Sequence, residues 1–183
     1  VTEAAVLVAA TIDALDNFTA TSSAGVVTTT NTGSGVVELG TLSGGVTISS
    51  TAAYSDITFT DAAGTETLDI LSADKVTYNL KDASASDDSL TVNLKVLSDD
   101  NTKSQTVGDI DISDIETLNL NTSGLKSDYT QTLSNISGDA SLATLNITGS
   151  NNLTISDVSS DNTKLKTIDA STYTGDLTFS DAS

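Results

Sequence analysis

The sequence predicts an all-β protein whose architecture is a β-solenoid, similar to a parallel β-helix, with short insertions. Three observations lead to this prediction: short segments of alternating apolar and polar residues, an internal repeat, and the absence of proline from all 183 residues. Alternation with a period of two is typical of a half-buried strand. Proline would remove a hydrogen bond from a strand ladder, so its absence suits a stack of strands. One or two β-sandwich domains are the alternative fold.

Residues 1–25 are predicted to form a connecting segment, in which Val8, Ile12 and Leu15 have a spacing that favours a helix. Residues 26–183 are predicted to form the solenoid, which we expect to continue beyond this sequence. Turn-forming Gly, Asn, Asp and Ser separate the strands. The predicted strands are Val36–Leu39, Val46–Ser49, Ile57–Thr60, Thr67–Leu71, Val76–Leu80, Leu90–Val96, Ile110–Ile112, Thr117–Leu120, Thr144–Thr148, Leu153–Ser156, Thr167–Ala170 and Leu177–Ser180.

Two stretches interrupt this rhythm. Leu97–Asp109 and Asn121–Ser141 lack regular alternation and are predicted to be loops or insertions. Within the second stretch, the spacing of Tyr129, Leu133 and Ile136 predicts a short helix.

Two short phrases recur along the chain and define the repeat. The first starts at Thr67, Thr117, Thr144 and Thr167, and the second at Ile57, Leu153 and Leu177. They alternate in the last third of the chain, so that one repeat is 23 or 24 residues long and contains two strands. A short period of this kind indicates stacked rungs, each of which buries its apolar face on its neighbours. Successive strands would lie about 4.8 Å apart.

The composition excludes several classes of function. The chain has 25 acidic residues against 7 basic ones, giving a net charge of −18, so no basic patch is expected for nucleic acid. It has no His and no Cys, so neither a Ser-His-Asp nor a Cys-His catalytic site can be built from it alone. We therefore predict a protein that is not an enzyme. Cations are the natural partners of such a surface, and calcium binds through oxygen atoms.

Aspartates recur where the predicted strands end. If the repeats stack, Asp157 and Asp181 fall in one column about 5 Å apart, where two unit charges repel by about 0.8 kcal/mol in water. Each aspartate alone is explained by the preference of Asp for turns, but the array as a whole favours calcium. The predicted calcium ligands are Asp61, Asp109, Asp111, Asp114, Asp157, Asp169, Asp176 and Asp181.

The densest acidic cluster runs from Gly108 to Glu116. Alternation places Asp109 and Asp111 on one face of a strand, about 6.5 to 7 Å apart. At that distance the two carboxylates can share a cation only if a loop or a neighbouring strand closes the site. A half-exposed strand with a polar face is an equally good interpretation of the cluster.

Several phrases near the end of the chain, at Leu145–Gly149, Leu165–Ser171 and Gly175–Phe179, resemble repeats in surface-layer (S-layer) proteins of Gram-negative bacteria such as Caulobacter and Campylobacter. The resemblance covers roughly residues 110–183, and before that it is one of composition only. It implies type I secretion, an extracellular position on the bacterial cell surface, calcium-dependent folding and a two-dimensional lattice of identical copies. The glycine-rich nonapeptide calcium repeat of many type I substrates is absent from the sequence.

These observations predict a structural component of a calcium-dependent surface-layer lattice. Its partners would be copies of itself, and lipopolysaccharide of the outer membrane through a region outside this sequence. One alternative is a segment of a large type I secreted adhesin that acts as a binding module. A carbohydrate-active β-helix enzyme with a pair of catalytic carboxylates is the third and least favoured function.

Overall fold

The structure is a computed structural model, and it describes most of the chain from Phe18 onward. The described ranges are 18–23, 26–31, 37–39, 46–50, 56–62, 64–70, 73–95, 104–122, 129–138, 140–158 and 160–180. The predicted helix around Val8, Ile12 and Leu15 lies outside them. Among the described residues all regular structure is β-strand, and no helix that could cross a membrane is found.

Within the described ranges, fifteen strands form two sheets. The strands are β1 Phe18–Ser23, β2 Val26–Asn31, β3 Val37–Leu39, β4 Val46–Ser50, β5 Asp56–Ala62, β6 Thr65–Ile70, β7 Lys75–Leu80, β8 Ser89–Leu94, β9 Ser104–Ser113, β10 Thr117–Asn121, β11 Thr130–Gly138, β12 Thr144–Thr148, β13 Asn152–Ile155, β14 Thr167–Asp169 and β15 Leu177–Phe179. Sheet A has the order β1-β2-β4-β6-β8-β10-β12-β14, and sheet B has the order β15-β13-β11-β9-β7-β5-β3.

The topology confirms the predicted β-solenoid. From β2 onward the chain alternates between the two sheets, and each strand pairs in parallel with the strand two positions later. The one antiparallel pair among the described strands is β1 with β2, so strand structure begins inside the predicted connecting segment. Parallel neighbours one rung apart do not occur in an antiparallel β-sandwich, so the alternative fold is wrong.

The repeated phrases stack in register. Thr144, Leu145 and Asn146 pair with Thr167, Ile168 and Asp169. Likewise, the second phrase at β13 pairs with its copy at β15 over three residues. The rungs are unequal in length. Asn93 contacts Asp69, which is 24 positions away in the chain, whereas Asn121 contacts Asn93, which is 28 positions away. The extra residues are absorbed between the strands and leave the register of the sheets intact.

The core is a thin aliphatic layer between the two sheets. In β8 and β10 the side chains alternate strictly between buried and half-buried, as a strand with one face in the core requires. Each rung thus adds apolar residues to columns that run along the axis, such as Leu90, Leu118 and Leu145, all fully buried. Phe59 and Tyr78 extend this stacking with ring centroids 5.8 Å apart.

The described parts of the two predicted insertions are largely strand, so the prediction of loops is wrong for those parts. β9 covers residues 104–109 of the first stretch, and β11 covers residues 130–138 of the second. The short helix predicted from Tyr129, Leu133 and Ile136 is therefore also wrong. Both strands turn a corner, since Gly108 and Ser134 are skipped in an otherwise continuous register and break the alternation that marks a strand.

Candidate functional site

Sheet A carries columns of amide and carboxylate side chains on its outward face, and we call them the amide ladders. The parallel register places Asp69, Asn93 and Asn121 in one column. A second column lies two residues nearer the N-terminus of each strand. From the N-terminal rungs onward it contains two threonines and then Asn119, Asn146 and Asp169. All of these asparagines are half-buried. Because the rung spacing is about 4.8 Å, such side chains can hydrogen-bond from rung to rung.

Hydrogen bonds run along both ladders toward the N-terminal rungs. Asn93 Nδ2 donates to Asp69 Oδ1 at 2.6 Å, and Asn121 Nδ2 donates to Asn93 Oδ1 at 3.2 Å. In the other ladder, Asn146 Nδ2 donates to Asn119 Oδ1 at 2.8 Å. An amide next to a carboxylate supplies a donor where a second carboxylate would repel. In these two columns, amides therefore keep carboxylates apart.

Asp169 ends the second ladder and is one of the predicted ligands. Its Oδ1 accepts a hydrogen bond from the backbone N–H of Ser171 at 2.9 Å. The hydrogen bonds from Ser171 hold the pKa of the Asp169 carboxyl below its ordinary value of 3.8. Asp169 is exposed and lies in register with Asn146, so it presents a charged acceptor at the last described rung of sheet A.

Two lysines lie beside acidic side chains on the outward faces of the sheets. On the outward face of sheet B, Lys75 lies between Asp56 and Asp109 in register, and its Nζ is 2.8 Å from Asp111 Oδ2. The hydrogen bond to Asp111 raises the pKa of Lys75. On sheet A, Lys95 Nζ lies 3.6 Å from Asp69 Oδ2. These pairs are partly exposed, so each stabilises the fold by roughly 1 kcal/mol or less.

The carboxylates of Asp111, Asp109 and Asp56 act on Lys75, and Asp74 precedes it in the chain. We call Asp56, Asp74, Asp109 and Asp111 the acidic patch. The shared face predicted for Asp109 and Asp111 is confirmed, since Ile110 and Ile112 between and beside them are buried. Loss of hydration, and then the charges of Asp56 and Asp109, raise the pKa of the Asp74 carboxyl above 3.8. The patch therefore has more negative charge than one lysine neutralises.

The remaining predicted ligands are dispersed. Asp114 follows β9 with a φ of 59°, in the left-handed region that Asp tolerates in turns. Asp157 is exposed, and its backbone carbonyl accepts a hydrogen bond from Ile136 N–H. Asp176 is exposed, and its N–H donates to Asn152 Oδ1 at 3.1 Å. The side chain of Asp61, within β5, and the whole of Asp181 lie outside what the structure describes.

No closed metal cage is formed within the described residues. Groups of three or more acidic side chains close enough to hold one ion do not occur there. Calcium takes six to eight oxygen ligands, so a calcium ion at the acidic patch would take one or two carboxylates from this chain. Water or a second molecule would complete its coordination. The donor chemistry suits calcium, but the number of carboxylates at each place is too small for an all-protein site.

A second pair of carboxylates, which the sequence did not indicate, lies at a corner of the solenoid. The backbone N–H of Asp88 donates to Glu116 Oε2 at 2.9 Å, and the carbonyl of Asp88 accepts hydrogen bonds from the N–H groups of Glu116 and Thr117. The Asp88 side chain is 8% exposed, and its Oδ2 has no hydrogen-bond partner among the described residues. Burial, then Glu116, Asp87 and Asp82, raise its pKa above 3.8.

Replacing Asp88 by Asn should therefore stabilise the fold at neutral pH. A carboxyl whose pKa is raised by folding stabilises the folded chain in its protonated form, and that contribution is lost as the pH rises through the folded pKa. We expect Asp88→Asn to raise the free energy of unfolding by about 1 kcal/mol at pH 7. At pH 3, below the ordinary pKa of the Asp carboxyl, the substitution should not raise it. Thermal unfolding of both proteins at each pH measures this difference.

The exposed neighbour Asp87 provides the matched control. Asp87→Asn removes the same charge one residue away, without removing a buried oxygen. An equal gain from both substitutions at pH 7, or a gain from Asp88→Asn that persists at pH 3, would show that burial of Asp88 is not the cause.

The sequence matches no family model, and no curated protein or solved structure is similar enough to count as a match. The class of protein is therefore defined by its own geometry, which is a parallel β-solenoid with an acidic and amide-rich outer surface.

Sequence reasoning missed the amide ladders and the Asp88–Glu116 pair for different reasons. The recurring Asn119 and Asn146 were visible in the first phrase, and their stacking could have been inferred from it. Asp88 and Glu116 are 28 residues apart in the chain, in a rung longer than the predicted repeat, and no local signal pairs them.

Proposed function

We propose that this protein is a structural, non-catalytic component of a calcium-dependent surface-layer lattice on the outside of a bacterial cell. The observation that carries the proposal is the acidic patch on a regular solenoid surface, where four aspartates and one lysine lie on neighbouring rungs. Carboxylates in excess over lysines attract divalent cations, and the net charge of −18 extends that attraction over the whole chain.

Each acidic site offers fewer carboxylates than a calcium ion needs, and this supports assembly. A calcium ion that finds one or two carboxylates on one molecule has coordination positions left for oxygen atoms of another. At the acidic patch the ion would be held by Asp109 together with Asp56 or Asp74, beside the ion pair of Lys75 and Asp111. Calcium would thus both screen the crowded charge and join copies, which is the chemistry that a calcium-dependent lattice requires.

A structural role also agrees with the chemistry that the chain offers. Without His or Cys, general base catalysis and nucleophilic catalysis would depend on carboxylates, hydroxyls and lysine amines. The buried Asp88 has a raised pKa, as a catalytic acid would. Its side chain, however, is buried at the junction of rungs, where a polysaccharide could not reach it.

The experiment that tests the proposal is assembly of the purified chain with calcium and without it. In millimolar calcium, electron microscopy should show periodic sheets, and a chelator should disperse them. The adhesin alternative predicts isolated rods in both conditions, with binding to a glycan or host ligand. A panel of polysaccharides tests for turnover. Isolated rods in calcium, or hydrolysis of any polysaccharide, would overturn the proposal.

A further inference from the structure

The rung junction before β8 buries a carboxylate that no described ion pair neutralises. Asp88 is 8% exposed, and its Oδ2 has no hydrogen-bond partner among the described residues. The two ion pairs that the structure describes join lysines to Asp69 and Asp111 instead. A buried charge without a partner is strongly unfavourable, so a proton or a cation must neutralise Asp88.

A second carboxylate reaches the same junction from the next rung. The strands β6, β8 and β10 pair in register from their first residues, so the residues directly before them, Gly64, Asp88 and Glu116, follow one another along the axis. The backbone N–H of Asp88 donates to Glu116 Oε2 at 2.9 Å. Covalent geometry keeps the carboxylate of any Asp within about 5 Å of its own backbone N. The carboxylates of Asp88 and Glu116 therefore lie around one N–H group.

Gly64 provides the space for the Asp88 side chain. A Cβ at position 64 would lie 1.8 Å from Asp88 Oδ1, and the three heavy atoms nearest to it would all belong to the Asp88 side chain. The Asp88 carboxylate thus fills the space over the backbone of the preceding rung, whereas its neighbour Asp87 is exposed. The inward position of the carboxylate therefore depends on a glycine one rung away.

The charges around Asp88 favour a cation over a proton. The charges that raise the pKa of its carboxyl belong to Glu116, Asp87 and Asp82, which are all acidic. One proton would remove one charge from this group and leave Glu116 charged beside it. A divalent cation neutralises two carboxylates at once, and calcium binds their oxygens at about 2.3 to 2.6 Å, closer than most hydrogen-bonded waters. The buried Oδ2 is therefore a ligand position that suits such an ion.

We propose that Asp88 and Glu116 bind a divalent cation, and we name the pair the corner site. Calcium suits it, because calcium accepts irregular sets of carboxylates, backbone carbonyls and water. A site with two carboxylates agrees with the finding that the described residues contain no metal-binding group of three or more acidic side chains. Water entering from the exposed residues 81–87 would complete the coordination.

The corner site differs in kind from the acidic patch. The patch is partly exposed and leaves coordination positions for oxygen atoms of another copy, whereas Asp88 is buried between rungs of its own chain. An ion at the corner site would join the rungs of β8 and β10 within one molecule and stabilise the single chain. The inference thus goes beyond the proposed function, since it requires no second copy.

The first experiment compares melting temperatures in EDTA and in calcium, with protein dilute enough to stay monomeric. The gain predicted above for Asp88→Asn applies to the chain without divalent cations, so in EDTA this variant should melt above the unaltered chain. In saturating calcium the order should reverse, because the variant has lost a charged ligand. Asp157→Asn removes an exposed charge after β13 and is the control, for which the order should not reverse.

The second experiment measures calcium affinity by titration calorimetry of the folded chains. Asp88→Asn and Glu116→Gln should each weaken the tightest site at least about tenfold. Gly64→Ala keeps both carboxylates but places a Cβ where Asp88 Oδ1 lies, so it should weaken the same site. The overlap involves only the end of a flexible side chain, so this variant should fold, which circular dichroism checks.

Each outcome decides the inference. A reversed order of melting temperatures, together with weaker calcium binding in both carboxylate variants, supports it. If Asp88→Asn melts higher in calcium as well as in EDTA, or binds calcium as tightly as the unaltered chain, Asp88 is neutralised by a proton and the inference is overturned. Electron microscopy separates this result from the proposed function. Periodic sheets in calcium with no ion at the corner site overturn the inference alone, and a corner site that binds calcium in a chain that never forms sheets overturns the proposed function alone.

Discussion

We expect Gly108→Ala to be strongly destabilising. Among the described glycines at which an added Cβ would meet backbone atoms, Gly108 has the closest approach. A Cβ at position 108 would lie 1.5 Å from the backbone oxygen of Asp74, a distance that no side-chain rotation relieves. Gly108 N–H also donates to the carbonyl of Ala73 at 2.8 Å, so the two rungs cannot separate without loss of hydrogen bonds. We expect a loss of about 3 kcal/mol or more in the free energy of unfolding, measured by chemical denaturation.

Two other positions provide controls for Gly108. Ser134 occupies the equivalent corner of β11 and already carries a side chain, so Ser134→Ala should cost less than about 1 kcal/mol. At Gly138 the added Cβ would lie 2.6 Å from the oxygen of Ile112, a smaller overlap that should give an intermediate loss. If Gly108→Ala and Ser134→Ala unfolded at the same denaturant concentration, the close approach at this corner would be wrong.

Leu145→Ala should give the second large loss, about 2 to 5 kcal/mol. Leu145 is fully buried in sheet A, between Leu118 of the preceding rung and Ile168 of the next. Truncation would leave a cavity in a core only one layer thick, and the paired strands limit how far the surroundings can collapse into it. Chemical denaturation of the variant, with its m-value, measures the loss.

Ile168→Ala is the matched control, because it lies in the same column one rung later. At 48% exposure, its side chain transfers less apolar surface from water than Leu145 does, so the loss should be about 1 kcal/mol or less. The comparison is made at one denaturant concentration series for both variants. Equal losses at the two positions would contradict the difference in burial between Leu145 and Ile168.

Most of the fold could be predicted because burial imposes a period of two on each strand. The strand predicted at Thr144–Thr148 has the observed bounds, and most of the other predicted strands differ by one or two residues at an end. The repeated phrases also predicted the stacking, since identical phrases must present identical faces to their neighbours. Thr144 and Thr167 do pair in parallel, as do Leu153 and Leu177.

The failures fall where the chain turns a corner inside a strand. In β9 and β11 two successive residues are only half-buried, Gly108 with Asp109 and Ser134 with Asn135, so the apolar period changes phase. β11 also buries Gln131, whose Nε2 donates to the carbonyl of Leu94 at 2.8 Å. A buried polar residue and a change of phase together remove the pattern that identifies a strand.

The candidate sites were predictable only in part, because they depend on register between distant rungs. That Asp109 and Asp111 share a face follows from alternation alone. That Lys75 lies beside them depends on the pairing of β7 with β9, in which Asp109 follows Lys75 by 34 positions in the chain. The sequence showed lysine to be rare, but it did not show that Lys75 and Lys95 stand at the crowded carboxylates.

The central claim is that divalent cations relieve the crowding of carboxylates on the outer surface of the solenoid. Thermal unfolding of the purified chain, followed by circular dichroism during a calcium titration, tests it most directly. A ligand that binds the folded state raises its stability by about 2.7 kcal/mol at a hundred times its dissociation constant. We predict a saturable rise in melting temperature with calcium, which EDTA reverses and an equal ionic strength of sodium does not reproduce. An unchanged melting temperature in calcium and in EDTA would contradict the claim.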